Sequence, residues 1–286
     1  MVDKYIDTHA HLNLSAFKDD VHAVSARCRE EGVAVINVGT KETTSARAVE
    51  LAEQYEHCYA IVGLHPIQTT PGNHDEEEIG EGGQSFVSKG EEFNYAFYRE
   101  LATHKKVVGI GECGFDYWHN GVETYEIQEK AFAAQIDLAN ELGLPLMIHT
   151  RNPKPGEESP TGQDVYDDVY DMLKARAQVP FNVHFYAGTI EQAKKFIDLG
   201  GTVSFTGVIT FKNTTEYHEV IKELPLEKIH AETDCPYVAP VPHRGKRCEP
   251  HMVIEVYRQI ATLKNMDVES VRLQLLENAK RFYELH

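Results

Sequence analysis

The sequence lacks the features that mark membrane and disulfide-stapled proteins. Its 286 residues contain no apolar run of membrane-spanning length, and its five cysteines form no Cys-x-x-Cys pair. An odd number of unpaired cysteines indicates a reducing, cytoplasmic setting. We expect no secretory signal either, because the strand that leads to Asp7 begins before a hydrophobic signal region could.

Basic residues are also scarce. The chain has 28 Lys and Arg against 45 Asp and Glu, which gives a formal net charge of −17. A protein that coats DNA would be basic, because neutralisation of phosphates supplies non-specific affinity. The acidity therefore argues against stable DNA coating, but it does not argue against metal-dependent phosphoester chemistry. Local cations and metal would have to hold any nucleic-acid substrate.

Two common catalytic signatures are absent: the Gly-x-Ser-x-Gly elbow of serine hydrolases and the P-loop of nucleotide hydrolases. The run from Gly109 to Gly114 does match the spacing of a dinucleotide-binding fingerprint. However, Glu112 lies inside it, where a carboxylate would repel a pyrophosphate. The next predicted strand also ends in His149, where the fingerprint requires an acid for the ribose. A dinucleotide-binding fold is therefore disfavoured.

The chain does contain β-rich apolar runs that alternate with helical patterns. Strands are predicted near Lys4–Asp7, Val33–Val38, Cys58–Gly63, Val107–Gly111, Pro145–His149, Phe181–His184, Thr202–Phe205 and Lys228–Glu232. The longest predicted helix covers about Glu123–Leu142, and two more close the chain near Pro250–Leu263 and Val268–Leu285. Eight strands of this kind predict an α/β fold, a (β/α)₈ TIM-type barrel that occupies residues 1–286 as one domain.

Two predicted connections are longer than usual for this architecture. Ile67–Gly90 contains the acidic run Asp75–Glu78, and Asn152–Gln163 is rich in proline and glycine. Loops of this length are usually mobile or functional. Both follow carboxyl-terminal strand ends, so we expect both at the barrel mouth, with the acidic run as a solvated loop.

Histidines and carboxylates recur at or just past the ends of the predicted strands. His9 and His11 are two residues apart on an extended chain, so both imidazoles face the same way. The side chains that follow later strands are His65, Glu112, His149, His184 and Asp234. In a parallel barrel these strand ends converge on one face, which predicts a common site.

The residue types at this predicted site suit two divalent ions. Four imidazoles and two carboxylates, without cysteine, form a hard-to-borderline donor set. Glu112 is the central candidate for a bridging carboxylate, and Asp234 can also accept the proton of the attacking water. This chemistry predicts hydrolysis of an ester, amide or phosphoester.

Basic and aromatic side chains near the predicted mouth are candidates for substrate binding. Arg151 closely follows His149, and the segment that contains Arg244 and Lys246 follows Asp234. These cations could bind phosphates, although a solvated basic loop is the alternative. The aromatic residues after Glu112 could stack a base or pack in the core; they are Phe115, Tyr117 and Trp118.

Several of these motifs occur together in one known family. They are Asp7-Thr8-His9-Ala10-His11-Leu12, Gly63-Leu64-His65-Pro66, Gly111-Glu112-Cys113-Gly114-Phe115-Asp116-Tyr117, Ile148-His149, Glu232-Thr233-Asp234 with Pro236-Tyr237, Arg244-Gly245-Lys246 with Glu249-Pro250, and Asn278-Ala279-Lys280-Arg281-Phe282. In this order they resemble the TatD family of metal-dependent deoxyribonucleases, within the amidohydrolase-type TIM barrels. The resemblance covers nearly the whole chain.

The resemblance implies a Mg²⁺-, Mn²⁺- or Zn²⁺-dependent nuclease, often a 3′→5′ exonuclease on single-stranded DNA or frayed ends. By analogy, one ion is held by His9, His11, Glu112 and Asp234, and the other by Glu112, His149 and His184. His65 would contact the scissile phosphate or the leaving group. The resemblance implies neither a membrane association nor an obligatory protein partner.

Two other hypotheses remain open. Some relatives act on D-aminoacyl-tRNA, so the same metal site could serve an ester or amide hydrolase such as a D-aminoacyl-tRNA deacylase. The basic cluster and His65 favour phosphate, and no lysine stands among the ligands to form a carbamylated bridge. A non-catalytic scaffold is the third hypothesis, and the presence of all six proposed ligands argues against it.

Overall fold

The structure is a computed structural model that describes residues 3–74, 86–119 and 121–285. Its centre is an eight-stranded parallel sheet, rolled into a nearly closed barrel in the order β1-β2-β3-β6-β7-β8-β9-β10. The strands are β1 (Tyr5–Ala10), β2 (Val33–Val38), β3 (Cys58–Val62), β4 (Pro71–His74), β5 (Phe86–Lys89), β6 (Val107–Asp116), β7 (Leu146–Arg151), β8 (Phe181–Val183), β9 (Thr202–Phe205) and β10 (Ile229–Ala231). The predicted TIM-type barrel is confirmed.

Helices connect successive barrel strands and cover the outside of the sheet. In the described residues they are α1 (Val21–Glu31), α2 (Glu42–Gln54), α3 (Tyr95–Ala102), α4 (Tyr125–Leu142), α5 (Val165–Arg176), α6 (Ile190–Asp198), α7 (Thr215–Glu223), α8 (Val253–Lys264) and α9 (Val268–Phe282). Local sequence fixes several of their ends. For example, α1 ends at Gly32 in the left-handed conformation, and Thr189 caps α6 by accepting the amide of Gln192. None of these helices is both long and apolar enough to cross a membrane.

Apolar side chains form two layers around the sheet. The larger cluster lies between the strands and the surrounding helices. The smaller cluster fills the barrel interior, and Ile6, Ile36 and Met147 belong to it. Tyr283 and Leu285, which follow α9, pack into the same interior cluster. The side-chain amide of Asn278 on α9 donates to the carbonyls of Leu226 and Ile229, at the start of β10, so the chain terminus packs at the amino-terminal end of the barrel, away from the predicted site.

The fourth barrel strand differs from its prediction. The sequence predicts an end at Gly111, with Glu112 just past it, whereas β6 continues to Asp116. Glu112 therefore lies inside the strand. The pairing of β6 with β7 is irregular between Ile110 and Cys113, so regular alternation is interrupted at Glu112. This irregularity, which the residue pattern does not encode, places the carboxylate at the barrel mouth.

The two long connections differ in structure. Within the predicted loop Ile67–Gly90, β4 and β5 pair as two short antiparallel strands, which the residue pattern did not predict. The acidic run Asp75–Glu78 lies outside the described residues. Asn152–Gln163 is irregular, as predicted, and it is tied to α5 because the hydroxyl of Thr161 donates to Asp168 over 2.7 Å.

The first and last barrel strands meet without a continuous ladder. Instead, Asp7 accepts the amide of Thr233 at 2.9 Å and its hydroxyl at 2.5 Å. Two further backbone bonds cross this seam: the amide of Asp234 donates to the carbonyl of His9, and that of His11 donates to Cys235. Closure of the seam thus brings Asp234 beside the two histidines of β1.

Candidate metal centre

Glu112 lies at the centre of the residues predicted as metal ligands, and its two carboxylate oxygens face different imidazoles. Oε1 lies 2.8 Å from Nδ1 of His149 and 2.7 Å from Nε2 of His184. Oε2 lies 3.4 Å from Nε2 of His9 and 3.9 Å from Nε2 of His11. The carboxylate thus stands between two pairs of histidines, which is the arrangement expected of a bridging ligand.

Asp234 lies on the side of the centre occupied by the β1 histidines. Its Oδ1 is 3.2 Å from Nε2 of His11 and 3.6 Å from Nε2 of His9. Burial alone would raise the pKa of Asp234, but its hydrogen bond with His11 and the nearby His9 lower the pKa below its ordinary value. Asp234 is therefore an ionised carboxylate at the open side of this group.

The central carboxylate, Glu112, also carries a negative charge. The side chain is almost fully buried, and burial by itself would raise its pKa. The neighbouring His184, His65 and His9 reverse this effect and hold the pKa of Glu112 well below its usual range. An ionised, buried carboxylate needs positive charge close by, which protonated imidazoles or a cation can supply.

The partner behind each ring shows which nitrogen faces the centre. Nδ1 of His11 lies 2.8 Å from the carbonyl oxygen of Val38, and Nε2 of His149 lies 2.9 Å from Oδ2 of Asp116. Oxygens of a carbonyl and an ionised carboxylate only accept, so these nitrogens carry hydrogen. In the neutral form of either ring, the other nitrogen carries the lone pair, and it is this nitrogen that faces the centre. This orientation is the one that a metal-binding histidine requires.

The donor set fits divalent metal ions. Nε2 of His9 and Nε2 of His11 are only 3.1 Å apart, and a neutral His11 carries its hydrogen on the Nδ1 that faces Val38. A cation between these nitrogens and the carboxylates of Glu112 and Asp234 satisfies all four groups. Atoms of His9, His184 and Asp234, and of His9, His11 and Glu112, lie within 4.8 Å of one another. Imidazole and carboxylate ligands of this kind suit zinc, manganese and related ions.

His65 has the opposite arrangement. Its Nδ1 accepts the backbone amide of Ile67 over 3.0 Å, so the hydrogen of the neutral ring is on Nε2. Nε2 lies 3.2 Å from Oε1 of Glu112. Burial lowers the pKa of His65 to about 4, which keeps the ring neutral. His65 sits within ligand distance of Glu112 and His149, but its geometry is that of a hydrogen-bond donor.

Sequence reasoning missed two buried carboxylates behind histidines that are predicted as metal ligands. Asp116 faces His149, as described above, and Oε1 of Glu232 lies 3.4 Å from Nδ1 of His184. Burial would raise the pKa of Asp116, but hydrogen bonds from His119 and His149 hold it well below its usual range. Closeness in sequence to a proposed ligand was the available signal, because Asp116 follows Glu112 by four positions and Glu232 precedes Asp234 by two.

The predicted substrate-binding cations lie exposed at or near the mouth. Arg151 ends β7 two residues after His149, and its guanidinium lies 5.2 Å from the ring centroid of half-buried Trp118. Arg244 lies 3.8 Å from the ring centroid of Phe211, and Lys246 is exposed in the same loop. Each of the two arginines therefore covers an aromatic face.

Other residues of the same segments are structural. Phe115 and Tyr117 are fully buried, so their predicted alternative as base-stacking rings is wrong and the core alternative holds. Arg247 turns inward, where its guanidinium binds the carboxylate of Asp20 at 2.6 Å and covers the ring of Phe17 at 4.4 Å. Within one short basic segment, Arg244 and Lys246 are thus exposed, whereas Arg247 is bound in the structure.

The chain is similar to known proteins over its full length. A family model for TatD-related DNases matches residues 6–284. An uncharacterised metal-dependent hydrolase, YabD of Bacillus subtilis, is 36% identical over 283 residues, covering 98% of this chain and 99% of the relative. An uncharacterised metal-dependent hydrolase named TatD from Mycobacterium tuberculosis is 30% identical, covering 98% of each chain. Among solved structures, the TatD homologue YjjV of Escherichia coli has a TM-score of 0.80 at 25% identity, and the match covers all of both chains.

Proposed function

Because this chain belongs to the family of TatD-related DNases, we propose that it is a two-metal deoxyribonuclease that removes nucleotides from the 3′ end of DNA. The observation that carries the proposal is the position of Glu112. Its Oε1 faces His149 and His184, while its Oε2 faces His9 and His11. One carboxylate shared by two groups of imidazoles is suited to bridge two ions.

The two groups would each hold one divalent ion, Mg²⁺, Mn²⁺ or Zn²⁺. The first position would be formed by His9, His11, Asp234 and Oε2 of Glu112, and the second by His149, His184 and Oε1 of Glu112. When bound, two such ions supply an activated water nucleophile and stabilise negative charge on the leaving oxygen. Cations also neutralise the carboxylates that otherwise crowd this buried site.

Two side chains would handle protons and charge during hydrolysis. Asp234 is ionised and faces the first position, so it is placed to accept the proton of the attacking water. His65 is neutral and presents its Nε2 hydrogen at the centre. That hydrogen would be donated to a phosphate oxygen or to the leaving group, where charge develops in the transition state.

Arg151, Arg244 and Lys246 would bind the phosphates of the strand on either side of the cleaved bond. In a chain of net charge −17, only such local cations can hold a polyanion against the overall repulsion. Trp118, half-buried beneath Arg151, offers an aromatic face for a base. Stacking of this kind requires unpaired bases, which favours single-stranded DNA or frayed ends as the substrate.

The testing experiment is a nuclease assay on protein stripped with EDTA. Mg²⁺, Mn²⁺ or Zn²⁺ is restored separately, and the substrate is single-stranded DNA labelled at its 5′ end. We expect a metal-dependent ladder that shortens from the 3′ end and is absent in Glu112→Gln. Glu50→Gln, which changes an exposed carboxylate on α2 that pairs with Arg47, serves as the matched control.

The same assay distinguishes the proposed activity from the alternative. Protein that binds ions but cleaves no DNA with any metal would overturn the nuclease proposal. A D-aminoacyl-tRNA, whose ester bond suits the same centre, is then the next substrate to assay. Glu112→Gln again reports whether the metal centre performs that reaction.

A further inference from the structure

Two buried carboxylates lie behind imidazoles of the proposed centre. The two imidazoles that they contact both face the same oxygen of Glu112, Oε1. We propose that Asp116 and Glu232 are positioning residues that hold the rings of His149 and His184 and thereby create the second metal position. The inference rests on the proposed two-ion centre. It predicts that loss of either carboxylate weakens binding of one ion and leaves the other in place.

Asp116 is held through its Oδ1 and through its backbone, and these contacts do not involve the ring of His149. Its Oδ1 accepts the amides of Trp118 at 3.0 Å and His119 at 2.9 Å. Its backbone exchanges two bonds of 2.8 Å with the side-chain amide of Gln128. Oδ2 is then left to face Nε2 of His149 at 2.9 Å and Nδ1 of His119 at 2.7 Å. The backbone contacts thus fix the position of the Asp116 carboxylate. Because this carboxylate only accepts, it keeps a hydrogen on Nε2 of His149.

Glu232 is fixed in the same manner on the neighbouring strands. Its Oε1 accepts the amide of Phe185 and its Oε2 accepts the hydroxyl of Ser204, each at 2.6 Å. Phe185 directly follows His184, whose Nδ1 lies 3.4 Å from Oε1. One carboxylate therefore binds the backbone amide next to His184 and lies in ion-pair contact with the ring of His184.

The ring nitrogens of His149 and His184 that face the centre point at the same carboxylate oxygen. Nδ1 of His149 and Nε2 of His184 are 3.4 Å apart, and both face Oε1 of Glu112. The other side of Glu112 is built differently. His11 is held by the carbonyl of Val38. Nδ1 of His9 and Nδ1 of His184 both lack a hydrogen-bond partner among the described residues, but of these two nitrogens that of His184 is the one in ion-pair contact with a carboxylate, Glu232. Carboxylates behind the rings therefore distinguish the second position from the first.

The main test variant is Asp116→Asn, which keeps shape but can place a donating amide against Nε2 of His149. That ring is then driven to carry its hydrogen on Nδ1, where it blocks an ion. Glu232→Gln is the second variant and acts on His184. Asp168→Asn is the matched control, because Asp168 is a buried carboxylate that accepts bonds from Tyr117 and Thr161 and contacts none of the proposed ligands.

Bound Mn²⁺ is measured by elemental analysis and calorimetric titration of each protein. We expect two ions for the wild type and for Asp168→Asn. Outer partners of metal ligands typically change metal affinity by about 10–100-fold, so we expect one site weakened by that factor in Asp116→Asn and in Glu232→Gln. The double variant should still hold the other ion, because both substitutions act on the same position. Unchanged binding of both ions in both single variants would overturn the inference.

Ring-nitrogen NMR of the zinc-loaded protein gives an independent readout. His149 should carry hydrogen on Nε2 in the wild type and in the control, and lose that state in Asp116→Asn. A wild type that binds a single ion would contradict the two-ion function, while these spectra would still decide the positioning role. If Asp116→Asn does not fold, as judged by circular dichroism, Glu232→Gln and the spectrum of His184 carry the test. An unchanged His184 ring in that variant would contradict the proposal.

Discussion

The backbone amide of Ile67 donates to Nδ1 of His65 over 3.0 Å, and this contact separates His65 from the other histidines of the centre. In His11 and His149 the nitrogen turned away from the centre faces an acceptor oxygen, whereas in His65 it faces a donor. Histidine side chains of one centre are thereby suited to two different roles. A ring with an acceptor behind it offers a lone pair, and a ring with a donor behind it offers a hydrogen.

We predict that His65→Ala retains the wild-type number of bound ions while kcat falls by roughly 10²–10³, the loss seen when one donor to a developing oxyanion is removed. Elemental analysis and steady-state nuclease kinetics measure the two quantities. His149→Ala is the comparison, and it should lose an ion. Loss of an ion from His65→Ala would mean that His65 is a ligand.

Arg244 and Arg247 should respond in opposite ways to replacement by alanine. Arg244 lies exposed over Phe211, so Arg244→Ala should raise KM for single-stranded DNA and reduce the salt dependence of log K by about 0.7, the contribution of one phosphate contact. Its melting temperature should fall only slightly, because an exposed cation–π contact such as that with Phe211 contributes about 0.5–1 kcal/mol. Binding titrations at several salt concentrations test this prediction.

Arg247→Ala should instead lower the free energy of unfolding, by about 1–3 kcal/mol for charged hydrogen bonds of this kind. The side chain binds the carbonyl of Ala16 and the carboxylate of Asp20 and covers Phe17. Denaturant titration measures the loss, and KM should stay near the wild-type value. A large rise in KM with unchanged stability would reassign Arg247 to the substrate.

His230 should make stability depend on pH. It is buried against Phe282 and Tyr283, and burial, followed by the charges of Arg281 and Lys228, lowers its pKa from 6.5 to about 3. Between these values the unfolded chain binds a proton that the folded chain does not. The free energy of unfolding should therefore fall by about 1.4 kcal/mol for each pH unit below 6.5, and this loss is absent above 6.5.

His230→Leu removes this titration, so its stability should decline less steeply in acid than that of the wild type. Denaturant titrations between about pH 4 and pH 8 measure the difference, with chelator present throughout to exclude effects of metal binding. Parallel curves for the two proteins would show that His230 does not contribute.

The seam between β1 and β10 should be sensitive to the hydroxyl of Thr233. Thr233→Val removes one of the two bonds that Thr233 donates to the buried carboxylate of Asp7. An unsatisfied buried acceptor typically costs about 1–3 kcal/mol. Thermal and denaturant unfolding test this prediction. Thr262→Val, which removes an exposed hydroxyl on α8, should change stability by less than about 0.5 kcal/mol.

Much of the barrel could be predicted from local pattern. Val33–Val38 and Thr202–Phe205 have their predicted bounds, because a run of β-branched and aromatic residues between polar segments favours a buried strand. The β4–β5 hairpin was missed, because Pro71–His74 and Phe86–Lys89 lack such a run. The end of β6 was also misplaced, since its irregular pairing with β7 depends on a neighbour that local sequence does not specify.

The sequence by itself determined the fold and brought the proposed ligands together. Parallel strands in a barrel share one carboxyl-terminal face, so residue types at strand ends suffice to predict that His9, His184 and Asp234 meet. Glu112 lies inside β6 and joins them where the pairing of β6 with β7 is irregular. Only the tertiary structure decided which nitrogen of each ring faces the centre. That choice depends on the group behind the ring, and for His11, His149 and His184 this group comes from another segment: Val38, Asp116 and Glu232. Residue type alone cannot encode it, because an imidazole is symmetric enough to serve as donor or acceptor until a fixed neighbour selects one role.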